Sequence, residues 1–420
     1  MSTLLQACGG GDSSNGSNSS NSSIKWSTWG DANIMERFHQ VTDKYNTDHH
    51  SNVQLIPVPA FDGFAAKVLA QLNAGVAPDV FYLGDIDIIK FIQNQTITDL
   101  TPLLNGSKSH VKPDEFFEGA WGVAKTTDGK IYGVPNDLEP LMLWYNKKVL
   151  KDAGVTVMPA DLAESEKWTR DAFEGILQKV RSTGKYGYLL DNSTMQMWSW
   201  ITSNGGTVYD NAGRGSFIAN KDSKAIEAFQ WLTDNIKSKN ITYSGSLPKG
   251  QGDDLAFTTN QAAFICAGRW FLPEFKKTSG LQYDIVPIPS NTGKVAPVAM
   301  ALSYMVMNKK TKNPDLAFDF LSYYVSKDGE TLRLQGNDGI STPSVKGIDH
   351  IILDGKDPEH AHFFIDARAI GYAVFPAETG TPGLAYDIQS TCENLWLQNS
   401  TVQATLDKVA ATVNPRIKPV

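Results

Sequence analysis

Apolar and polar positions follow two alternating periods along most of the chain. Short apolar runs at 24–28, 53–58 and 79–83 are rich in the aromatic and β-branched residues that favour strands. Between the last two runs, apolar residues recur every three or four positions over 64–72, which predicts a helix that ends at Gly75. Because strands separated by single helices pair in parallel within helix-covered sheets, the pattern predicts an α/β fold.

The same two periods continue through the second half of the chain. Helical spacing of apolar residues predicts helices over 173–180, 226–236, 316–324 and 402–409. The longest apolar run, 295–307, is too short to span a bilayer, which takes about 20 residues. We predict a buried strand there.

Composition and charge narrow the class of protein. The chain has 420 residues, 41% of them hydrophobic and 20% charged, which is enough for two globular domains of ordinary size. The net charge is −7 and the basic residues are scattered, so we expect no nucleic-acid partner.

Cysteine and histidine give little sign of a metal site. Cys266 lies in an apolar segment and is predicted to be a small buried side chain, although a disulfide with Cys392 stays open at this point. A histidine- and acid-rich stretch at 349–362 matches no zinc spacing and predicts a surface loop. We expect no metal and no cofactor.

The N-terminal segment 1–23 predicts a membrane anchor followed by a tether. Leu5-Gln6-Ala7-Cys8 resembles the lipobox of bacterial lipoproteins, which implies that Cys8 carries the lipid. The Ser-, Asn- and Gly-rich tract that follows lacks apolar residues and predicts a flexible linker. Since a signal peptide needs a basic start and an apolar stretch, we interpret the sequence as a shortened form of a longer precursor.

Acidic loops follow the early predicted strands. Trp29 and Asp31 follow the first strand, Asp62 the second, and Asp85 and Asp87 the third. In open α/β sheets, ligands bind beyond the carboxyl ends of the strands. These loops are therefore candidate ligand-binding positions.

Several motifs along the chain resemble a known family when taken in order. They are Leu72–Val80, Ile97–Pro102, Gly133–Pro135, Tyr145–Lys147, Gly268–Trp270 and Lys309–Ala317. Their order and spacing are similar to family 1 of the extracellular solute-binding proteins, which includes the maltose-binding protein. The similarity runs from about residue 24 to the C-terminus.

The resemblance implies two lobes joined by a hinge of three crossing segments. Each lobe would be a mostly parallel sheet flanked by helices, with the ligand in the cleft between the lobes. The N-terminal lobe would hold residues 24–138 and 303–345, and the C-terminal lobe residues 139–302 and 346–420. Such lobes close over their ligand.

The resemblance also implies ligand-binding residues. Asp31 and Glu139 match ligand-contacting acids of the maltose-type proteins, and Trp270 matches a stacking tryptophan. Acids would accept hydrogen bonds from sugar hydroxyls, and the ring would pack on the apolar face of a sugar. Each residue has a structural alternative: a helix cap for Asp31, a solvated hinge residue for Glu139 and lobe core for Trp270.

Together with Asp85 of the acidic loops, three further residues complete the predicted ligand-binding set: Asp137, Trp198 and Arg269. Of Trp198 and its neighbour Trp200, we expect one to face the cleft. The loop at 83–87 lacks the Trp, Asp and Arg of maltose-type proteins, which favours an oligosaccharide other than maltose.

These expectations describe a binding protein rather than an enzyme. We expect a monomer, lipid-anchored on the outer face of the bacterial cytoplasmic membrane, that delivers a carbohydrate to the permease of an ABC importer. The alternatives are a non-sugar ligand, such as a polyamine or a phosphorylated compound, and a secreted glycoside hydrolase. No nucleophile or phosphate-loop motif supports the enzyme, but a pair of carboxylates would suffice for it.

Overall fold

The computed structural model of the protein describes residues 23–30, 32–59, 63–335, 339–381 and 383–417. Three residues singled out from the sequence lie outside these ranges: Cys8, Asp31 and Asp62. What is predicted for them therefore stays a prediction.

Strands and helices alternate along the described chain. The strands are β1 (Ser23–Trp29), β2 (Asn52–Val58), β3 (Val80–Gly84), β4 (Val134–Pro140), β5 (Met142–Asn146), β6 (Tyr186–Leu190), β7 (Ile241–Tyr243), β8 (Ala262–Ala267), β9 (Tyr283–Val286), β10 (Ala299–Met307) and β11 (Tyr372–Ala373). The helices before β9 are α1 (Ala32–His49), α2 (Phe64–Ala74), α3 (Ile88–Gln93), α4 (Thr101–Asn105), α5 (Lys147–Asp152), α6 (Pro159–Glu164), α7 (Arg170–Ser182), α8 (Thr194–Ser203), α9 (Asp210–Gly213), α10 (Ser223–Lys237), α11 (Asp253–Thr258) and α12 (Leu272–Lys277). The later helices are α13 (Pro314–Tyr324), α14 (Lys327–Leu334), α15 (His350–Leu353), α16 (His362–Ile370), α17 (Pro376–Thr379), α18 (Leu384–Trp396) and α19 (Val402–Val413). Short 3-10 helices occur at Pro113–Glu115, Glu118–Ala120, Gly122–Ala124, Ser244–Ser246 and Arg269–Phe271.

The strands form two sheets. The first has the order β11-β10-β3-β1-β2, with β4 also paired to β10, and the second has the order β7-β6-β8-β5-β9. β1 pairs in parallel with β2 and β3, as β6 does with β7 and β8. In contrast, β10 is antiparallel to β3 and β4, and β5 is antiparallel to β8 and β9. With the parallel pair β10–β11, five of the nine strand pairs are parallel, and the antiparallel pairs all involve β5 or β10, next to the crossings between the sheets.

Local signals in the sequence explain where elements end. Gly75 has φ 72°, and its N–H bonds to the last carbonyls of α2, so the predicted end of this helix is confirmed. The predicted strand in the apolar run is β10, whose residues are buried except for the half-buried Ala301. Along β3, Tyr82 packs on one face of the first sheet and Phe81 on the other, since side chains of a strand alternate between faces.

Each sheet has its own hydrophobic core. The first sheet is covered on its two faces by clusters that include Trp26 and Phe81, and the second is covered by a larger cluster around Trp144 and Phe264. Helices flank both sheets, so the predicted two-lobed α/β fold is confirmed.

The described chain passes between the lobe cores at three places, and β11 then pairs with the start of β10 beside the second of them. The first lies between Leu138, in a core of the N-terminal lobe, and Leu141, in the core of the C-terminal lobe; the second lies between Ala299 and Met300. The third lies between Ala361 and Phe363. The predicted boundary at 345/346 is wrong, because α15 and the residues up to Ala361 still pack in the N-terminal core.

Two predictions about tryptophan and cysteine have clear outcomes. Trp198 and Trp200 are both buried in the core of the C-terminal lobe, so the expectation that one of them faces a cleft is wrong in this conformation. Cys266 and Cys392 are buried free thiols, which excludes the disulfide here. Among the helices that the structure describes, none combines the length and apolar character needed to cross a bilayer.

Candidate functional site

Glu139 and Trp270 lie together where β4 leaves the N-terminal lobe. Glu139 is buried, and its Oε2 accepts a hydrogen bond from the backbone N–H of Arg269 at 2.7 Å. A Cβ at Gly268 would lie 3.0 Å from the Cβ of Glu139 and 2.2 Å from the Trp270 ring, so glycine is needed for this packing. Burial raises the pKa of Glu139 well above its usual range.

Arg269 connects this corner to the third crossing. Its side chain is 1% exposed; Nε donates to the carbonyl oxygen of Gly339 at 2.8 Å, and Nη1 donates to that of Asp357 at 3.2 Å. These bonds tie the 3-10 helix after β8, in the C-terminal lobe, to two segments that precede the third crossing. The arginine therefore has a structural role between the lobes.

Asp137, two residues before Glu139 on β4, forms an ion pair of its own. Its carboxylate pairs with Arg333 of α14 and accepts a hydrogen bond from the hydroxyl of Ser303 at 2.7 Å. Arg333 is 1% exposed and lies 3.8 Å from Glu330 and over the ring of Tyr324, at 5.3 Å. We call Asp137, Glu139, Arg269 and Arg333 the hinge cluster.

The two other predicted aromatic residues lie apart from each other. Trp29, at the end of β1, is half-buried and makes edge contacts with Phe64 at 5.2 Å and Tyr82 at 5.5 Å. Trp198 donates its indole N–H to Glu378 and stacks on Phe229. The structure thus gathers Asp137, Glu139, Arg269 and Trp270, and leaves Trp29 and Trp198 outside that group.

A cavity of about 410 Å³ lies between the lobes, and we call it the inter-lobe cavity. Ile86, Asp87 and Lys90 line it from the N-terminal lobe, and Glu378 and Tyr386 are among the residues that line it from the C-terminal lobe. Its size is in the range of small-molecule sites, which often lie between domains. A larger groove of about 560 Å³ is lined by the C-terminal lobe alone, along β7.

Exposed apolar surface faces this cavity from both lobes. Tyr386 of α18 is 74% exposed, and Ile86, which precedes α3, is 48% exposed. Large apolar side chains that remain this accessible at a domain interface provide apolar surface to a ligand. A sugar ring presents apolar C–H faces that pack on such surfaces.

Two buried acids at the cavity have an oxygen without a partner. Oε1 of Glu378 accepts hydrogen bonds from Trp198 and from the hydroxyl of Tyr209, whereas Oε2 has no hydrogen-bond partner among the described residues. Asp85 precedes the lining residue Ile86, and its Oδ2 likewise lacks a hydrogen-bond partner in the described structure. A buried polar atom left in this way is costly unless a ligand or water supplies the partner.

Burial also changes the protonation of these acids. It raises the pKa of Asp85 to about 7, although backbone N–H groups oppose the rise. It raises the pKa of Glu378 to about 7 as well, and the hydrogen bonds from the Tyr209 hydroxyl and the Trp198 indole limit the rise. Strongly perturbed acids beside a cavity are typical of functional sites.

The sequence reasoning missed Glu378, Tyr386 and Lys90. One signal for Tyr386 was available, because it is an aromatic residue off the apolar stripe that α18 buries through residues such as Ile388 and Leu395. Nothing in the local pattern marks Glu378, whose position beside the first-lobe loop at 85–87 depends on the tertiary fold.

A cluster of possible metal ligands lies away from the cavity. Asp284, Glu359 and His360 bring their ligand atoms within 4.8 Å of one another. Nζ of Lys147 lies 3.1 Å from Asp284 and 2.8 Å from Glu359, so an ammonium group already pairs with both acids and we assign no metal. His360 is half-buried and bonded to Asp284, which corrects the prediction of a simple surface loop.

Comparison with known proteins supports this architecture. The chain is 28% identical over 300 residues to the maltodextrin-binding protein MdxE of Bacillus subtilis, a match that covers 69% of this chain and 66% of that protein, just under two thirds. It is 24% identical to a maltooligosaccharide ABC transporter solute-binding lipoprotein of Streptococcus pneumoniae, over 78% of this chain and 74% of the relative.

A solved structure has the same fold. The substrate-binding protein Lmo0181 of Listeria monocytogenes, in complex with cycloalternan, superposes with a TM-score of 0.79 at 19% identity, over 94% of this chain and 98% of that one. The sequence model described as bacterial extracellular solute-binding protein matches residues 40–354, which is more than half of the chain. The chain therefore belongs to the family of bacterial extracellular solute-binding proteins.

Proposed function

We propose that this protein is the extracellular solute-binding subunit of an ABC importer and that it captures an oligosaccharide in the inter-lobe cavity. The observation that carries the proposal is the pairing of groups from the two lobes across that cavity. Ile86 and Tyr386 offer apolar surface, while Asp87 and Glu378 offer acceptors for hydroxyl groups. The relatives named above, which bind maltodextrin or maltooligosaccharide, support a carbohydrate ligand.

The proposed mechanism is capture without chemistry. A ligand that contacts both lobes binds best when the lobes are closed, so it shifts the population toward closure. Asp31 and Asp62 would add acceptors beside the first-lobe loops, and Trp29 and Trp270 would add rings; these four assignments rest on sequence. Delivery to a membrane permease would follow from the closed state.

We also propose that Cys8 anchors the protein in the membrane through a lipid. The support is the lipobox-like tetrad at 5–8 and the lipoprotein among the relatives. Expression of the chain behind a lipoprotein signal peptide in a bacterium, with and without Cys8→Ala, tests this. The lipid should be found on Cys8 by mass spectrometry, and the variant should leave the membrane fraction. An unmodified Cys8 in the mature protein would contradict the anchor.

A glycan panel tests the main proposal. Mono-, di- and oligosaccharides are added separately to the purified protein, and the melting temperature is measured, since a ligand that binds the folded state raises it by mass action. Isothermal titration of each active sugar then gives its affinity. If no glycan on a broad panel raises the melting temperature, the carbohydrate assignment is wrong.

A further inference from the structure

The charges around the inter-lobe cavity are mostly acidic. Asp87 and Glu378 line the cavity from opposite lobes, and Asp85 lies directly behind the lining residue Ile86. Lys90 is the one cationic side chain among the lining residues that the structure describes. A phosphorylated or otherwise anionic ligand would therefore face more repulsion than attraction here.

The acids are also short of hydrogen-bond donors. Glu378 is 2% exposed and Asp85 is 7% exposed, yet Oε2 of the first and Oδ2 of the second have no hydrogen-bond partner in the described part of the chain. Asp87 begins α3 without making a side-chain cap to it. Asp87 and Glu378 thus line one cavity from opposite lobes, and Glu378 has a buried oxygen that the described protein leaves without a donor.

A bound group that pairs with both Asp87 and Glu378 must donate more than one hydrogen bond. A neutral sugar hydroxyl has a single O–H to donate, whereas an ammonium group has three N–H donors, no acceptor and a positive charge. Hydrogen bonds between an ammonium and a carboxylate are about twice as strong as those between neutral groups. The cavity is thus more complementary to an amine than to a hydroxyl at the same position.

We propose that the inter-lobe cavity selects an amino sugar, a saccharide whose protonated amine lies between Asp87 of the N-terminal lobe and Glu378 of the C-terminal lobe. This inference rests on the proposed carbohydrate function and names the class of carbohydrate. Ile86 and Tyr386 pack on the ring of that sugar, and the amine pairs with acids from both lobes. Because the amine contacts both lobes, it stabilises the closed form directly.

Matched ligands that differ in one substituent test the proposal. The panel holds α- and β-linked oligosaccharides of equal length that bear a free amine, an acetylated amine, a hydroxyl or a carboxylate at the equivalent position, together with spermidine. Affinities are measured by isothermal titration at pH 7. We expect the free-amine member of at least one series to bind 10-fold or more tightly than its hydroxyl and acetylated partners.

The outcomes separate this inference from the proposed function. If neutral or acidic glycans bind as tightly as the amino sugars, the amine preference is wrong while the carbohydrate function stands. If spermidine binds and no glycan does, the carbohydrate function and the amino-sugar inference both fail. If no amine-bearing ligand binds at all, the inference is likewise overturned.

Variants locate the preference at the two acids. Asp87→Asn and Glu378→Gln, each checked for folding by circular dichroism and melting temperature, should lower the amine-to-hydroxyl affinity ratio to about threefold or less. Asp48→Asn is the matched control, since Asp48 is half-exposed on α1 and pairs with Lys44 away from the cavity. An unchanged ratio in both cavity variants would refute the assignment, and Asp87→Asn keeps the test valid if Glu378→Gln fails to fold.

Discussion

Two groups of buried acids in this protein differ in what their oxygens bind. In the hinge cluster, Asp137 pairs with Arg333 and Glu139 accepts a backbone N–H. At the inter-lobe cavity, Asp85 and Glu378 are buried about as deeply as Glu139, but each has an oxygen without a hydrogen-bond partner among the described residues. Burial alone therefore does not separate a structural acid from one that awaits a ligand, whereas the set of hydrogen-bond partners does.

The hinge cluster and the inter-lobe cavity also differ in how well the sequence marked their residues. Two predicted ligand-binding residues, Glu139 and Arg269, hydrogen-bond to the protein's own chain beside the crossings. Residues that the resemblance did not mark, such as Glu378 and Tyr386, line the cavity. Where family members differ in ligand, we expect the difference to lie in this second group.

The largest expected effect comes from breaking the hinge cluster. Arg333→Met would leave Asp137 and Glu330 buried without their cation, so we expect the free energy of unfolding to fall by about 3–5 kcal/mol. Urea denaturation measures this change. The control is Lys148→Met, which removes an exposed ion pair with Asp152 and should cost less than about 1 kcal/mol. Equal losses in both variants would contradict a special role for the cluster.

The cavity acids should give a pH-dependent stability. Glu378 has an ordinary pKa of 4.5 and a folded-state pKa of about 7, so between these values the folded protein holds a proton that the unfolded chain has lost. Its contribution therefore declines as the pH rises from about 4.5 to about 7. Relative to the wild type, Glu378→Gln should become more stable over that range, by at most about 3 kcal/mol.

Urea denaturation at several pH values between 4.5 and 8 measures this difference. Glu118→Gln, whose side chain is 82% exposed, is the matched control and should show no such trend. A difference between Glu378→Gln and the wild type that does not vary with pH would show that the folded protein does not hold a neutral Glu378.

An effect on affinity without an effect on stability is expected at Tyr386. The side chain is 74% exposed, so Tyr386→Ala should leave the melting temperature of the ligand-free protein unchanged. Loss of the ring should weaken oligosaccharide binding about tenfold, which is about 1.4 kcal/mol. Isothermal titration measures the affinity, and Tyr386→Phe, which keeps the ring, should stay within about threefold of the wild type. Unaltered binding by the alanine variant would remove Tyr386 from the site.

The smallest effect is expected at Glu139. Because its Oε2 already accepts the N–H of Arg269, Glu139→Gln keeps an acceptor in place and should change ligand affinity by less than about threefold. Titration with the best ligand of the panel tests this. A loss greater than tenfold would show that Glu139 contacts the ligand, as its resemblance to the maltose-type proteins implies, and would end the distinction between the two groups of acids.

Sequence reasoning predicted the class of fold better than the lobe boundaries. The periodicity of 64–72 and Gly75 gave α2 and its end, since both depend on local geometry. The third crossing was placed too early because α15 and Ala361 pack back on the N-terminal core, and no local pattern reports which core a short helix joins. The position of Trp198 could not be predicted either. Its indole N–H donates to Glu378, a residue far along the chain, and this bond lets the ring lie in the core of the C-terminal lobe.

The sequence by itself determined the alternation of strands and helices, the acidic loops after the strands and the membership of the family, because these follow from local periodicity and from ordered motifs. Only the tertiary structure decided which acids are satisfied and which are not. Glu378 stands far along the chain from Asp87, and the two line one cavity because three crossings bring the lobes face to face. Whether an acid has a hydrogen-bond partner depends on the groups that lie near it in the folded protein. Residue type and spacing along the chain therefore cannot predict which acids lack one.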